Sequence, residues 1–501
     1  MTYSTHLLLA LATVPAAVLR EQIRSILDRQ AEQLINDLLA FQTQPTTATA
    51  TFDLERGLSE RLRNVGRDLM ACVYNRMEGD DRDALPSHVH SQSEEYRLVG
   101  KKTRHVVDTL FGPVTLWRHQ YRPVARDSAE RSIAPLERSL GVIEGVTPAL
   151  AEAAARYAAM AGATQRQVQD QLRERHGVSI GTERLRTLLE RVSGGMAEGR
   201  QEAQAARIQD LLVKANASSG RTKPVLSMSR DGICLRENRH GLFEVATTAT
   251  VTVTDRRGQR LGTVYLAFAP ELGQGQMTDQ LTALIEEVLQ QWNGPLPRLA
   301  YITDAGDNES KYFNTVLRPM VHPRTKEKLV WQRIVDFYHA MTRVWKLADV
   351  LFGDDTRGRW LWGRRMGKLL KKPNGPFRVL HAAAALKRRR ALNRVAAAEY
   401  QKASNYLRAR TKWMQYAEYT RLKLPLGSGI VEAACKTIYT QRLKLSGMRW
   451  GKAGAQVILN LRVALLSGVW ERAYQHTLLS HADAEARTPG HKAEILLQMA
   501  G

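Results

Sequence analysis

The sequence predicts a mixed α/β domain that is interrupted by an all-helical segment and preceded by a mainly helical region. Three observations lead to this fold class. Apolar residues recur at helical spacing through most of the first 200 residues. Residues 222–345 contain strand-like runs and a hairpin turn, followed by alternating helix and strand. Residues 346–424 carry no strand pattern. At 501 residues, 44% of them hydrophobic, the chain is long enough for several globular domains.

The charge balance indicates a polyanionic partner. The chain has 73 Lys and Arg against 50 Asp and Glu, a formal net charge of +23. Lys and Arg gain affinity for nucleic acid by displacing counterions from its phosphates, so DNA or RNA is the expected partner, with an acidic membrane surface as the alternative. The three cysteines, Cys72, Cys234 and Cys435, form no Cys-x-x-Cys pair, which excludes a disulfide framework and favours a reducing cytosol.

No membrane-spanning segment is expected, and nucleic acid is preferred to a membrane as the partner. The longest apolar stretch near the start, residues 7–19, is interrupted by Pro15 and is shorter than the roughly 18 residues that a spanning helix needs. No Lys or Arg precedes it, so the basic segment of a signal peptide is missing.

The N-terminal region, residues 1–95, contains two amphipathic helical patterns, at 18–39 and 54–73, which are either core helices or a dimerisation surface. A small β module is predicted at 96–135, where strand-like alternation surrounds a Phe-Gly-Pro turn.

Residues 140–200 resemble a helix-turn-helix. Thr164 is a predicted helix N-cap, Gly177 lies in a short turn, and a second helix begins at Thr182. In such a unit the start of the second helix enters the major groove, which would present Thr182, Arg184 and Arg186 to DNA. An ordinary helical hairpin with a glycine turn has the same pattern.

The α/β domain is predicted in three parts. Its first part, residues 222–345, has strands at 224–235, 244–254, 261–268, 299–303 and 329–337, with helices at 276–292 and up to about 317. A helical insertion follows at 346–424. Residues 425–475 form two C-terminal helices, and residues 476–501 are expected to be a loosely held tail.

Three carboxylates are candidates for chemistry. Asp231 is predicted at the end of the first strand, Asp304 directly after the fourth, and Glu432 in the first turn of a helix that a Gly-Ser-Gly turn opens. Convergent carboxylates are what a two-Mg²⁺ site for phosphoryl transfer needs. Taken singly, each acid has an ordinary explanation as a turn or helix-start residue, and Asp307 and Glu309 are competing ligands.

Two motifs resemble a known enzyme family. The stretch Gly427-Ser428-Gly429-Ile430-Val431-Glu432-Ala433-Ala434-Cys435-Lys436, with Arg442-Leu443-Lys444 and Ser446-Gly447-Met448-Arg449-Trp450, resembles the C-terminal signature of insertion-sequence DDE transposases of the ISKra type. Asp336-Phe337-Tyr338-His339 is similar to the Asp/Cys-x-x-His motif that such transposases carry before a helical insertion. The resemblance spans residues 224–470.

The resemblance implies an RNase H-like fold in which Asp231, Asp304 and Glu432 bind two Mg²⁺ ions, for which Mn²⁺ can substitute. Asp336 and His339 would support this site. The implied activity is Mg²⁺-dependent cleavage of the ends of an insertion sequence, followed by strand transfer. The partners would be double-stranded DNA and a second copy in a homodimer or higher oligomer. The compartment would be the bacterial cytoplasm, with the protein on the nucleoid when bound. The alternatives are an inactive DNA-binding repressor and an RNase H-like nuclease without strand transfer.

Basic and aromatic residues near Glu432 are the candidate DNA contacts of this domain. Lys436 lies four residues after Glu432, on the same face of an α-helix. Arg442, Lys444 and Arg449 continue a basic strip, and Trp450 is expected either to stack on an unpaired base or to pack in the core.

Overall fold

A computed structural model describes residues 15–43, 45–83, 85–91, 94–125, 127–128, 132–236 and 243–486. Its contacts divide the chain into two compact units, the first formed by residues 1–198 with 474–501 and the second by residues 199–473. In the described part of the chain, none of the helices has the length and apolar character needed to cross a membrane.

The first unit begins with two long helices, α1 (Ala16–Gln42) and α2 (Ala48–Arg76), which pack against each other. The Thr47 side chain caps α2 by accepting a hydrogen bond from the Ala50 amide. Both predicted amphipathic helices are confirmed, and both are longer than their apolar patterns. No described residue of either helix is buried. Their apolar faces are therefore at most partly buried, and the alternatives of core packing and dimerisation both stay predictions.

The β module is a three-stranded antiparallel sheet of β1 (His88–Ser91), β2 (Glu94–Thr109) and β3 (Gly112–Pro123), in that order. The apolar side chains of its inner face, Val107, Val114 and Leu116, pack against Met70 and Tyr74 of α2, among others. The sequence missed β1, because this short edge strand is polar and lacks the apolar alternation that identifies a half-buried strand.

Glu78, two residues after α2, is a buried carboxylate and is only 7% exposed. Its Oε2 atom accepts a hydrogen bond of 2.7 Å from the backbone amide of His119 on β3. Burial raises the pKa of Glu78 to about 7, although the His119 amide and the charges of Lys102 and Arg118 act in the opposite direction.

We expect this residue to make the stability of the first unit pH-dependent. Because the folded pKa exceeds the ordinary value, the stabilisation by protonated Glu78 is full below about pH 4.5 and lost as the pH rises through about 7. The loss amounts to about 3 kcal/mol. At pH values above 7, Glu78→Gln should therefore raise the midpoint temperature of thermal unfolding. In acid, the substitution should leave that temperature nearly unchanged. Asp83→Asn, an exposed acid nearby, is the control. An equal effect of Glu78→Gln at both pH values would contradict the prediction.

Four helices complete the described N-terminal part: α3 (Pro135–Ser139), α4 (Pro148–Ala159), α5 (Gln165–His176) and α6 (Thr182–Ala217). Thr164 caps α5 in a capping box with Gln167, and Gly177 ends it with φ +66°, a conformation that favours glycine. Two helices joined by a short turn therefore lie where the helix-turn-helix is predicted, and the second of them has 36 residues.

The second unit contains a mixed sheet of five strands in the order β6-β5-β4-β7-β8. The strands are β4 (Val225–Arg236), β5 (Phe243–Thr254), β6 (Arg260–Phe268), β7 (Arg298–Thr303) and β8 (Trp331–Val335). The β4–β5 and β5–β6 pairs are antiparallel, whereas β4–β7 and β7–β8 are parallel. All five predicted strands and the mixed α/β class are thus confirmed.

Helices cover this sheet. The amphipathic helix α7 (Gly275–Gln291) packs its apolar face, including Leu281, Ile285 and Val288, into the core formed by β4, β5 and β6. The sequence predicted this helix, because its apolar residues recur at spacings of three and four. The helix α8 (Asp307–Tyr312) follows β7 and continues into a π-helical turn, Phe313–Leu317.

The predicted helical insertion consists of five helices. They are α9 (Phe337–Phe352), α10 (Thr356–Leu370), α11 (Gly375–Lys387), α12 (Arg394–Arg410) and α13 (Tyr416–Arg421). Helix α9 begins before the predicted boundary at 346, because Asp336 caps it directly after β8. The predicted strand to residue 337 is therefore too long.

The C-terminal part contains α14 (Gly429–Ala434), a π-helical segment (Cys435–Thr440), α15 (Gln441–Leu443), α16 (Lys452–Leu466) and α17 (Trp470–Ala486). The predicted tail at 476–501 is corrected, because α17 continues to Ala486 and buries Thr477. The rest of the predicted tail, 487–501, and the apolar stretch from residue 7 to 14 lie outside the described residues.

Candidate functional site

Asp336 is the most enclosed acid of the site, with a fully buried side chain. It follows β8 and caps α9, where its Oδ1 accepts hydrogen bonds from the backbone amides of Tyr338 and His339. Its Oδ2 accepts hydrogen bonds from both the amide and the hydroxyl of Ser428, just before α14. Burial would raise the pKa of Asp336, but the nearby His339 side chain and these donors outweigh it and lower the pKa to about 2. The carboxylate therefore ties the start of α9 to the start of α14.

His339 and Glu432 lie beside this junction. The His339 Nδ1 atom is 3.7 Å from Glu432 Oε1 and 3.9 Å from Asp336 Oδ2, distances too long for hydrogen bonds. That buried nitrogen has no hydrogen-bond partner among the described residues. The Asp336 carboxylate raises the pKa of His339 against the effect of burial. One ligand atom each of Asp336, His339 and Glu432 lies within 4.8 Å of the others, so this cluster could hold a metal ion.

Asp231 is half-buried and lies within β4, not at its end as predicted, because the strand continues to Arg236. The thiol of Cys435 donates a hydrogen bond of 3.6 Å to Asp231 Oδ2. Burial raises the pKa of Asp231, and the negative charges of Asp304 and Glu432 raise it further. Asp304 and Glu432 are therefore both close enough to Asp231 to affect the charge of its carboxyl group.

Cys435 was missed as a site residue. Burial and the nearby Asp231 raise the pKa of the Cys435 thiol far above its ordinary value, so the thiol stays protonated and keeps its proton for this contact. The signal was present in the sequence, because Cys435 follows Glu432 by three residues and such pairs share a helix face.

Asp304 is exposed in the loop after β7. Its Oδ1 atom accepts a hydrogen bond of 2.9 Å from the Gly306 amide, and the intervening Ala305 has φ +62°, a strained conformation for a residue with a side chain. Two residues of α12 hold this loop: the Tyr406 hydroxyl donates to the Asp304 carbonyl at 2.7 Å, and Arg410 Nη2 donates to the Ala305 carbonyl at 3.1 Å.

Glu309, on α8, is the main alternative to Glu432 as the third metal-binding acid. A Cβ atom at Gly306 would lie 2.5 Å from Glu309 Oε2 and 3.4 Å from Asp304 Oδ1, so both carboxylates border the same glycine. Burial raises the pKa of Glu309, and the charges of Asp304 and Asp231 raise it further. The other competing acid, Asp307, is exposed. Like charges held this close favour a bound cation.

Comparison with known proteins does not assign a family. No protein-family model matches the chain, and no curated protein matches its sequence. The interpretation of the site therefore rests on its own residues.

The predicted DNA contacts after Glu432 divide into surface and interior groups. Lys436, Lys444 and Arg449 are exposed. Arg442 is only 2% exposed, and its guanidinium lies 5.2 Å from the centre of the Trp450 ring, whose Nε1 donates to the Leu443 carbonyl. The prediction that Arg442 meets phosphates is corrected, because its charged group is enclosed. The α-helix also becomes π-helical at Cys435, so the α-helical spacing assumed for Lys436 does not apply.

The predicted DNA-reading residues of the first unit also fall into two groups, those that are exposed and one that is bonded within the protein. Thr182 and Arg186 are exposed at the start of α6. The Arg184 guanidinium donates to Asp108 Oδ2 at 2.8 Å and to the carbonyls of Glu144 and Gly145. We therefore reassign Arg184 from reading DNA to joining α6 to the β module.

Proposed function

We propose that the chain is a DNA transposase with an RNase H-like catalytic domain, in which Asp231, Asp304 and Glu432 form the DDE triad. The observation that carries the proposal is that the segment after Glu432 meets β4, where the Cys435 thiol donates to Asp231 Oδ2 at 3.6 Å, with Asp304 and Glu432 both close enough to act on the charge of Asp231. The raised pKa of Asp231, with contributions from Asp304 and Glu432, is the electrostatic sign of that clustering. The five-stranded mixed sheet is compatible with the fold that the motif resemblance implies.

The donor set fits a divalent cation. Carboxylate oxygens are the ligands that Mg²⁺ prefers, and the unpartnered His339 nitrogen beside Glu432 is a ligand that Mn²⁺ also accepts. When bound, two such ions would activate an attacking hydroxyl and stabilise the leaving oxygen of the phosphodiester. Asp231, Asp304 and Glu432 would hold the ions, with Asp336 and His339 supporting Glu432.

Other residues near the site position these acids, and exposed basic residues attract DNA. Ser428, fixed by Asp336, begins the helix that carries Glu432, and its hydroxyl lies 3.4 Å from Glu432 Oε1. Tyr406 and Arg410 hold the backbone on either side of the Asp304–Ala305 bond. The net charge of +23 and the exposed Lys436, Lys444 and Arg449 favour the phosphate backbone.

Recognition of the element ends is assigned to the helix-turn-helix of the first unit. Thr182 and Arg186 at the start of α6 are the exposed candidates for base or phosphate contact. Because an insertion sequence has two ends, we propose that the active form is a homodimer or higher oligomer on DNA.

The experiment is cleavage and joining of DNA that carries the sequences flanking the gene, with Mg²⁺, with Mn²⁺ and with a chelator. We expect metal-dependent cleavage at the element end and covalent joining of the new 3′-hydroxyl to target DNA. Binding without cleavage would favour a repressor. Cleavage without joined product would favour a nuclease that lacks strand transfer.

A further inference from the structure

Tyr338 is an exposed aromatic residue at the edge of the acidic cluster. It occupies the first turn of α9, between Asp336 and His339, and its side chain is 67% exposed. The neighbouring Phe337, by contrast, is 8% exposed and packs into the core. The face of the Tyr338 ring is therefore open to a ligand at the edge of the acidic cluster.

The surroundings hold this ring in place. It meets the Phe337 ring in a T-shaped contact with ring centroids 5.6 Å apart. On another side it rests against Gly427, where a Cβ atom would lie 2.9 Å from the ring carbons. Glycine at 427 thus makes room for the ring. Because the backbone amide of Tyr338 also donates to Asp336, both the start of the side chain and the ring are positioned by the residues that build the acidic site.

Cationic groups lie around the same helix start. The Lys371 ammonium is 4.3 Å from the centre of the Phe337 ring. Arg343, one turn along α9, and Arg410 lie against the Tyr406 ring at 4.8 Å and 4.2 Å from its centre. These cations lie against Phe337 and Tyr406, the first of which is the sequence neighbour of Tyr338. Single-stranded nucleic acid is commonly bound by exposed aromatic rings on which bases stack, with positive charge in the same region for the phosphates.

We propose that Tyr338 is a stacking platform for an unpaired nucleobase next to the phosphate that reacts at the acidic cluster. This inference rests on the proposed function and adds to it the state of the substrate, a DNA end that is locally melted. Stacking requires no particular base, because every base has a π face. Tyr338 would therefore hold the strand without reading its sequence.

The direct test is photo-cross-linking of full-length protein to a duplex with a single-stranded thymidine end that carries iodouracil. The reaction is run with Ca²⁺ and mapped by mass spectrometry. We expect cross-linking at position 338 in both the wild type and the Tyr338→Phe variant. Tyr338→Ala and Tyr338→Leu should lose the cross-link at position 338. The Leu variant tests whether an apolar side chain without an aromatic ring is enough to hold the base there. Phe377→Ala, which removes another exposed aromatic ring on α11, should leave the cross-link unchanged.

Two further measurements complete the test. Affinity for the single-stranded end should fall about fivefold to a hundredfold in Tyr338→Ala and remain near wild type in Tyr338→Phe. Cross-linking only at other residues, or equal affinity in the Ala and Phe variants, would overturn the inference. If the wild type shows no metal-dependent cleavage, the proposed function fails. Cross-linking and affinity involve no cleavage, so they still decide the role of Tyr338.

Discussion

Asp231→Asn, Asp304→Asn and Glu432→Gln are each expected to lower the rate of metal-dependent DNA cleavage by about a thousandfold, with DNA affinity near that of the wild type. Each substitution removes one negative charge and keeps the size of the side chain. Removing a ligand charge weakens the hold on a divalent cation, whereas affinity for DNA depends mainly on Lys and Arg. The measurement is single-turnover cleavage of an end-containing duplex, with affinity determined separately in Ca²⁺.

Asp307→Asn is the matched control, because Asp307 is an exposed acid three residues from Asp304. Its cleavage rate should stay near the wild-type value. Glu309→Gln distinguishes the two glutamates, since Glu309 also borders Asp304. An active Glu432→Gln together with an inactive Glu309→Gln would show that Glu309 completes the site. A wild-type rate in all three triad variants would remove the DDE assignment altogether.

The fold was largely predictable because its elements carry local patterns. The strands β5 and β6 are rich in β-branched and aromatic residues and flank an Asp-Arg-Arg-Gly turn, and the apolar residues of α7 recur at helical spacing. Asp231 was misplaced for a local reason too. An Asp before Gly is typical of a turn, but Gly232 lies inside β4, where glycine is needed because a Cβ atom would lie 2.8 Å from Val245 on the neighbouring strand.

The candidate site was predictable only as a set of acids. The contacts of Tyr406 and Arg410 with the Asp304 loop join residues about a hundred positions apart, and no local pattern indicates such a pairing. Local sequence patterns also do not indicate the direction in which a charged side chain points. Arg184 and Arg442 are both basic and both near candidate DNA contacts, yet the fold turns their guanidinium groups to interior or intramolecular partners. Basic composition thus indicates a class of partner but does not indicate which individual residues contact it.

Asp336→Ala is expected to destabilise the second unit by about 3–5 kcal/mol, the largest stability effect that we expect for one residue of the site. The substitution leaves the amides of Tyr338 and His339 and both donors of Ser428 without their acceptor, in a place where the Asp336 side chain is fully buried. Ser428→Ala removes a single hydroxyl donor and should cost only about 1 kcal/mol. The measurement is urea unfolding followed by circular dichroism.

The pH dependence of the unfolding free energy distinguishes the role of the Asp336 carboxylate as an acceptor from a simple loss of packing. The folded pKa of Asp336, about 2, is below the ordinary value of 3.8, so its ionised form stabilises the protein fully above about pH 4. That stabilisation, about 2 kcal/mol, is lost as the pH falls through about 2. The difference in unfolding free energy between wild type and Asp336→Ala should therefore shrink as the solution becomes acidic. A difference in unfolding free energy that stays constant with pH would assign the effect to packing. Equal stability of the two proteins at neutral pH would show that the contact between Asp336 and Ser428 does not hold α9 to α14.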